Sequence, residues 1–221
     1  MSEQVRVLIA DKMDPRAAAI FRQRGIEVDE KPGLSPDEFK MIIGDYDGLA
    51  LRSSTRVNAE AMDAAVPRLK VVGRAGIGVD TIDVPAATAR GIVVMNTPFG
   101  NSITTAEHAI AMLFALAREI PAADQSTQAG KWEKNRFMGV ELSGKTLGLI
   151  GCGNIGSIVA DRAHGLKMKV VAYDPFLSPE RAIELGVDKV ELEELLRRAD
   201  FISLHTPLTD QTRGILSRDA L

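Results

Sequence analysis

The chain has 221 residues, enough to bury one large hydrophobic core or two smaller ones. With 45% hydrophobic and 26% charged residues it has the composition of a globular protein, which argues against a disordered or a membrane protein. Its 27 Lys and Arg against 30 Asp and Glu residues give a net charge of −3, which provides no general attraction for nucleic acid. A single cysteine and an N-terminus without an apolar leader pattern predict a cytoplasmic location.

The first part of the chain alternates short β-branched runs with amphipathic stretches. We predict strands over residues 5–10, 26–28, 48–51, 70–73 and 92–95, with helices over 15–24, 36–43, 59–65 and 85–90 between them. This alternation is typical of a parallel sheet with crossover helices. Residues 1–97 are therefore predicted to form a doubly wound, flavodoxin-like domain.

A loop over residues 96–101 interrupts this rhythm, and a long apolar helix is predicted over 106–118. After a polar stretch the alternation resumes, with strands expected at 146–150, 169–173 and 201–204. Residues 98–221 are thus predicted to form a second α/β domain of the Rossmann type. Three or four strands are expected in it, and the chain ends within a helix-like pattern, before a six-stranded dinucleotide fold is complete.

The sequence Gly151-Cys-Gly153-Asn-Ile-Gly156 matches the pattern of a dinucleotide-binding turn. Such a pattern also occurs in glycine-rich turns that bind no ligand. Here it follows a predicted strand and begins a predicted helix, which is the context that phosphate binding requires. Gly151 allows the tight turn, Gly153 lets a pyrophosphate approach the backbone, and Gly156 allows close packing of helix on strand.

Asp174 lies just after the second predicted strand of this domain, 18 residues beyond Gly156. A carboxylate there accepts hydrogen bonds from the adenosine ribose hydroxyls and repels a 2′-phosphate. The next residues, Pro175 and Phe176, supply no cation, so NAD is the predicted cofactor. Cys152 is interpreted as a small buried side chain rather than a nucleophile.

Two segments of the first domain offer candidate anion ligands at the ends of predicted strands. Arg52 and Arg74 are expected to hold a carboxylate or phosphate, and Gly76 offers a backbone N–H group. The alternative is that these arginines pair with acids such as Asp80. His205 ends a strand, but no adjacent acid would orient it, so it is not assigned as a general acid.

Several blocks of sequence in this order resemble the D-isomer-specific 2-hydroxyacid dehydrogenases, most closely those that oxidise 3-phosphoglycerate. The blocks begin, in chain order, at Leu51, Val72, Val94, Gly130, Phe137, Gly151, Tyr173 and His205.

The resemblance implies that the first domain binds substrate and the second binds NAD. It implies homo-oligomerisation through the long helix of the second domain and the region of Trp132. The implied substrate ligands are Arg52, Ser53, Arg74, Gly76 and Asn101. Besides the glycines and Asp174, the implied cofactor contacts are Ile77, Asn154, Ile155, Thr206, Pro207 and Thr212. No metal is implied.

The resemblance further implies NAD-dependent oxidation of 3-phosphoglycerate to 3-phosphohydroxypyruvate, the first step of serine biosynthesis, in a longer parent enzyme. The family's catalytic arginine, glutamate and histidine follow the segment at His205 and are not found by Leu221. We therefore assign no catalytic residue and expect this chain to bind NAD weakly without turnover. Two alternatives remain open: a relative that acts on glycerate, hydroxypyruvate or lactate, and a non-catalytic, corepressor-like NAD-binding module.

Overall fold

The computed structural model describes residues 4–220 and divides into two compact units, one up to Gly100 and one from Asn101. Residues 1–3, where the absence of a leader pattern was noted, and residue 221 lie outside the described residues. Each unit contains a parallel β-sheet with helices between its strands. The predicted α/β class is therefore confirmed.

Within residues 4–100, the first unit is built of five strands and four α-helices. The strands are β1 (Arg6–Ile9), β2 (Glu27–Glu30), β3 (Gly48–Leu51), β4 (Val71–Arg74) and β5 (Val93–Asn96), and the helices are α1 (Pro15–Gln23), α2 (Pro36–Ile42), α3 (Ala59–Ala65) and α4 (Val84–Ala89). The strand order β2-β1-β3-β4-β5 is that of flavodoxin-like folds.

Polar side chains begin all four helices of the first unit. Asp14, Ser35, Asn58 and Asp83 each accept a hydrogen bond from a backbone N–H in the first turn of the helix that follows. At Ser35 the bond is reciprocal, because Glu38 accepts from the Ser35 backbone N–H, which completes a capping box. These caps satisfy donors that a helix leaves unpaired, so they fix where each helix starts.

The core of the first unit lies along its central strands. Leu8, Leu49 and Val72 are paired in register across β1, β3 and β4, and each is at most 2% exposed. Central strands of a parallel sheet are covered on both faces, which is why their sequences are continuous apolar runs.

The second unit has four strands and five α-helices within the described residues. They are α5 (Ser102–Ala117), α6 (Ile120–Gln128), β6 (Thr146–Ile150), α7 (Asn154–Gly165), β7 (Lys169–Tyr173), α8 (Pro179–Leu185), β8 (Asp188–Lys189), α9 (Leu192–Arg198) and β9 (Phe201–Leu204). The order β8-β7-β6-β9 corresponds to the first four places of the Rossmann order 3-2-1-4-5-6.

The second unit differs from the sequence-based expectation at its first two helices and at the end of the chain, and its elements α8, β8 and α9 had no predicted bounds. Helix α5 begins at Ser102, four residues before the predicted start at Ala106. Helix α6 was not predicted, and its first residue follows Glu119 in a left-handed conformation without a side-chain cap. Where the sequence suggested a helix at the end of the chain, the described residues contain only a short 3-10 turn, Arg218–Ala220.

Strand β6 is covered closely by helix α9 at Gly148. A Cβ atom at Gly148 would lie 2.7 Å from Leu195 Cδ2 and 2.9 Å from Ala199 Cβ. Both distances are shorter than van der Waals contact, so the packing of α9 on the sheet requires glycine here. Gly165, at the end of α7, has no heavy atom within 4 Å of such a Cβ.

We expect Gly148→Ala to lower the free energy of unfolding by about 1–3 kcal/mol, because its methyl group forces α9 outward. Gly165→Ala is the matched control, and it should stabilise by up to about 1 kcal/mol, since alanine favours a helix. Urea unfolding followed by circular dichroism measures both changes. Equal stability of the two variants would contradict the packing described for β6 and α9.

Candidate functional site

The turn between β6 and α7 is shaped by a glycine in the left-handed region. Gly151 has φ of +92°, and a Cβ there would lie 2.9 Å from the carbonyl carbon of His205. Its N–H donates to the Tyr173 carbonyl oxygen at 2.9 Å. Gly156 lies so close to the Gly151 carbonyl oxygen that no Cβ fits between them. Both glycines are therefore required by the backbone geometry of the turn.

Gly153 leaves open space where the turn enters helix α7. A Cβ at this position would meet no atom within 4 Å, in contrast to Gly151 and Gly156. Gly153 is the N-cap residue of α7 and, being glycine, has no side chain with which to cap that helix end. The positive end of the helix dipole and an open approach to the backbone favour an anion such as a pyrophosphate.

Asp174 follows β7 and is hydrogen-bonded to the glycine turn. Its Oδ2 accepts from the Cys152 N–H at 2.8 Å, and its Oδ1 accepts from the Phe176 N–H at 2.8 Å. The side chain is half-buried. Because an ionised carboxylate has about four acceptor positions, these two bonds leave capacity for the hydroxyl groups of a ribose.

A cavity of about 510 Å³ lies beside this carboxylate. Of the lining residues that the structure describes, Asp174 is the only charged one. The others are Gly151, Gly153, Tyr173, Pro175, Phe176, His205, Thr206, Pro207, Thr209, Gln211, Thr212 and Ile215. The cavity brings together the glycine turn, Asp174, Thr206, Pro207 and Thr212 from the sequence prediction. A largely apolar pocket with few polar groups is typical of a small-molecule site.

Some residues that line this cavity were not predicted from the sequence to do so. Phe176 is 93% exposed and Ile215 is half-buried, yet both line the pocket. Neither belongs to a periodic pattern, so only the arrangement of the loops after β7 and β9 reveals them.

Thr212 organises the loop after β9. Its Oγ1 donates to the Pro207 carbonyl oxygen at 2.5 Å and accepts from the Thr209 N–H at 2.8 Å. The hydroxyl therefore holds a turn at the edge of the cavity.

Two predicted cofactor contacts, Asn154 and Ile155, form the first turn of α7 beside the glycine turn. Neither is among the residues that line the cavity. Ile77, a third predicted cofactor contact, lies in the first unit, where its carbonyl oxygen accepts from Asn96 Nδ2 at 2.7 Å. Asn101, a predicted substrate ligand, is exposed and precedes α5.

Of the two groups near the turn that resemble catalytic residues, Cys152 is buried and His205 is half-buried. Burial, together with the Asp174 charge, raises the pKa of the Cys152 thiol to about 11, and Cys152 is 5% exposed. Cys152 is therefore protonated at neutral pH and is a buried structural residue, as predicted. Burial also lowers the pKa of His205, whose Nε2 lies 2.9 Å from Ser203 Oγ.

In the first unit, the predicted anion ligands lie at the carboxyl ends of β3 and β4. We call residues 52–56 the Arg52 loop. The side chains of Arg52 and Ser53 are exposed, and Arg52 has no ion-pair partner among the described residues. Gly76 donates its N–H to the Arg74 carbonyl oxygen at 3.0 Å.

Arg74 is engaged within the first unit. Its Nη1 donates to Asp80 Oδ1 at 2.6 Å, its Nε donates to the Arg52 carbonyl oxygen at 2.9 Å, and its side chain is 10% exposed. The pairing with Asp80 is the alternative that the sequence left open. The hydrogen bond from Arg74 holds the pKa of Asp80 below its usual range. Arg74 as a direct ligand of an anion stays a prediction.

Within residues 4–220, no group of three or more His, Cys, Asp or Glu side chains is arranged to hold a metal ion. Nor does any helix in that range have both the length and the apolar composition needed to cross a membrane.

Comparison with known proteins identifies the second unit. Residues 110–221 match the family model described as D-isomer specific 2-hydroxyacid dehydrogenase, NAD binding domain. A curated D-3-phosphoglycerate dehydrogenase from Archaeoglobus fulgidus is 49% identical over 214 residues, which are 97% of this chain and 40% of that protein. The chain therefore spans about 40% of the length of the curated relatives it matches.

Solved structures agree with this result. The TT0316 protein from Thermus thermophilus has a TM-score of 0.88 at 37% identity, covering 98% of this chain and 69% of its own. The NAD⁺-bound 3-phosphoglycerate dehydrogenase of Entamoeba histolytica has a TM-score of 0.76 at 32% identity, covering 95% of this chain and 65% of its own.

The glycine turn, Asp174 and the adjoining cavity thus lie in a segment that matches an NAD binding domain. The chain belongs to the D-isomer specific 2-hydroxyacid dehydrogenases.

Proposed function

We propose that this chain is the substrate- and NAD-binding part of an oxidoreductase that converts 3-phosphoglycerate to 3-phosphohydroxypyruvate and so supplies serine biosynthesis. Residues 1–97 are proposed as the substrate domain and residues 98–221 as the NAD domain. The choice of substrate is supported by the Archaeoglobus and Entamoeba relatives, which are both named as 3-phosphoglycerate dehydrogenases. The observation that carries the cofactor assignment is the cavity in which Asp174 adjoins the Gly151 turn.

A reducing, cytoplasmic location is proposed for the protein, because its one cysteine is free.

The residues of the second unit fit a dinucleotide. Gly153 leaves the approach to the backbone open, α7 directs its positive end toward that space, and Asp174 retains acceptor positions for a ribose. When bound, NAD supplies the hydride acceptor for C2 of the hydroxy acid. The protein contributes binding and orientation of the two reactants.

We propose that the site prefers NAD to NADP. Among the described residues of the cavity wall Asp174 is the only charged one, and a carboxylate repels the 2′-phosphate that distinguishes NADP. Arg181, on the following helix α8, is paired with Glu184 at 2.8 Å. A 2′-phosphate would thus gain no arginine from the cavity wall.

Asp174→Ala should weaken binding of NADH to the 221-residue chain about tenfold to hundredfold, since hydrogen bonds to a charged group contribute about 1.5–3 kcal/mol. Isothermal titration calorimetry measures the dissociation constant. Asp188→Ala removes a carboxylate of the same unit that lies outside the cavity, and it should leave the constant within twofold. The ribose assignment is wrong if the two variants bind NADH equally well.

In the first unit, Arg52 is the proposed ligand for the anionic substrate, because its guanidinium is exposed and unpaired within the described residues. Arginine binds carboxylate and phosphate through two parallel hydrogen bonds.

The full-length gene product should use 3-phosphoglycerate with at least about tenfold higher kcat/KM than glycerate, because a phosphate-binding cation adds about 1.5–3 kcal/mol. Arg52→Ala should lower kcat/KM for 3-phosphoglycerate about tenfold or more. Arg24→Ala removes an exposed cation after α1 and is the control that should not change it. A preference for glycerate, hydroxypyruvate or lactate would instead indicate one of the alternative dehydrogenases, and NAD binding without turnover would indicate a corepressor-like module.

We also propose that the protein is a homo-oligomer that associates through the second unit. Large apolar side chains are exposed on helix α5 and on the segment after it. Soluble monomers rarely have such a cluster of exposed apolar side chains. They are Met112, Leu116, Ile120, Trp132, Met138 and Val140, with exposed fractions from 46% to 84%.

Leu116→Glu should shift the protein toward the monomer in sedimentation velocity, since a charge buried in an apolar interface is costly. Ile183→Glu is the matched control, because Ile183 is 80% exposed but lies on α8, outside this group. The proposed surface is wrong if both variants keep the oligomeric state of the wild type, or if the wild type is already monomeric.

A further inference from the structure

Asp11, just beyond β1, is a buried carboxylate that the sequence patterns did not single out. It is 4% exposed and forms no ion pair with any of the described residues. Among the described residues, every hydrogen-bond partner of the carboxylate lies in the Arg52 loop. Oδ2 accepts from the N–H groups of Arg52 at 2.6 Å, Ser54 at 3.2 Å and Thr55 at 3.4 Å, and Oδ1 accepts from Thr55 Oγ1 at 2.6 Å.

The carboxylate charge of Asp11 is stabilised by this loop. Burial alone would raise the pKa of Asp11, but the hydrogen bonds from the Thr55 hydroxyl and the loop N–H groups outweigh burial and hold the pKa below its usual range. A buried carboxylate without a cation is costly unless such donors surround it. The ionised Asp11 and the folded loop therefore depend on each other.

The backbone of Arg52 is held on both sides. Its N–H donates to Asp11 at 2.6 Å, and its carbonyl oxygen accepts from Arg74 Nε at 2.9 Å. Arg74 is in turn fixed by Asp80 at 2.6 Å. The Arg52 side chain stays exposed. The main chain of this residue is thus fixed while its guanidinium stays accessible to a ligand.

We propose that Asp11 is a positioning residue for substrate binding: it preorganises the Arg52 loop so that Arg52 and Ser53 face the anionic hydroxy acid. This inference rests on the proposed function of Arg52. Preorganisation removes the entropic cost of ordering a loop when the ligand binds. Loss of Asp11 therefore weakens binding of the hydroxy acid and leaves NAD binding, which uses the second unit, unchanged.

Steady-state kinetics of the full-length gene product provide the first test. Asp11→Ala should raise KM for 3-phosphoglycerate about tenfold or more while kcat changes less and KM for NAD stays within twofold. Asp14→Ala, which removes an exposed helix cap three residues away, should leave all three constants unchanged. An unchanged KM for 3-phosphoglycerate in Asp11→Ala, or an equal rise in KM for NAD, would overturn the proposal.

The isosteric variant Asp11→Asn should restore most of the affinity. Its amide oxygen can accept from the three loop N–H groups, and its NH₂ group can donate to Thr55 Oγ1. That hydroxyl lies 3.4 Å from the Ala10 carbonyl oxygen, which can accept its proton instead. If the position instead requires a negative charge, Asp11→Asn should bind 3-phosphoglycerate as weakly as Asp11→Ala does.

Hydrogen exchange in the 221-residue chain separates this proposal from the proposed function. In Asp11→Ala the amides of Arg52 and Ser54 should exchange at least about tenfold faster, while the Gly48–Leu51 amides keep their protection. If the wild-type protein oxidises no 2-hydroxy acid, the proposed function fails, and the exchange rates still decide whether Asp11 orders the loop. Unchanged exchange at Arg52 and Ser54 would refute that ordering.

Thr55→Val provides a second variant in case Asp11→Ala does not fold. It removes one donor to Asp11 and keeps the three N–H groups, so KM for 3-phosphoglycerate should rise about threefold to tenfold. If Thr55→Val changes neither KM nor loop exchange and Asp11→Ala fails to fold, Asp11 is a folding residue only and the proposal is wrong.

Discussion

The close approach between the start of helix α7 and the turn after β6 determines the architecture of the second unit. No side chain fits between Gly156 and the carbonyl oxygen of Gly151, and none fits between Gly151 and the backbone at His205. This packing brings the helix end, the turn and the loop after β9 together around one cavity. Of the three glycines of the turn only Gly153 is open, so the same turn that packs tightly on the protein leaves room for a phosphate.

An aspartate fixes a loop in the same way in each unit. Asp174 follows β7 and accepts from the Cys152 N–H in the turn after the adjacent strand β6. Asp11 follows β1 and accepts from the Arg52 N–H in the loop after the adjacent strand β3. Neighbouring parallel strands end at the same edge of a sheet, so a short carboxylate just beyond one strand reaches the N–H groups beyond the next. Binding loops of this kind combine exposed ligands with a fixed backbone.

Much of the fold could be predicted from the sequence because its signals are local. Apolar runs and glycine spacing identified the principal strands and the Gly151 turn, whereas helix α6 was missed because its sequence, Ile120–Gln128, has no sustained apolar period. The partners of Arg74 could not be decided, since pairing with Asp80 depends on how two loops meet. Asp11 was missed for a similar reason: its role is visible only once β1 and β3 are adjacent. Its position just after a strand was the one available signal.

The Gly151 turn and Asp174 are proposed to form a site selective for NAD. Calorimetric titration of the unmodified 221-residue chain with NADH and with NADPH, in the same buffer, tests this proposal most directly. A carboxylate facing the ribose predicts that NADH binds at least about tenfold more tightly, equivalent to about 1.4 kcal/mol. Equal or tighter binding of NADPH, or no binding of NADH, would contradict the claim.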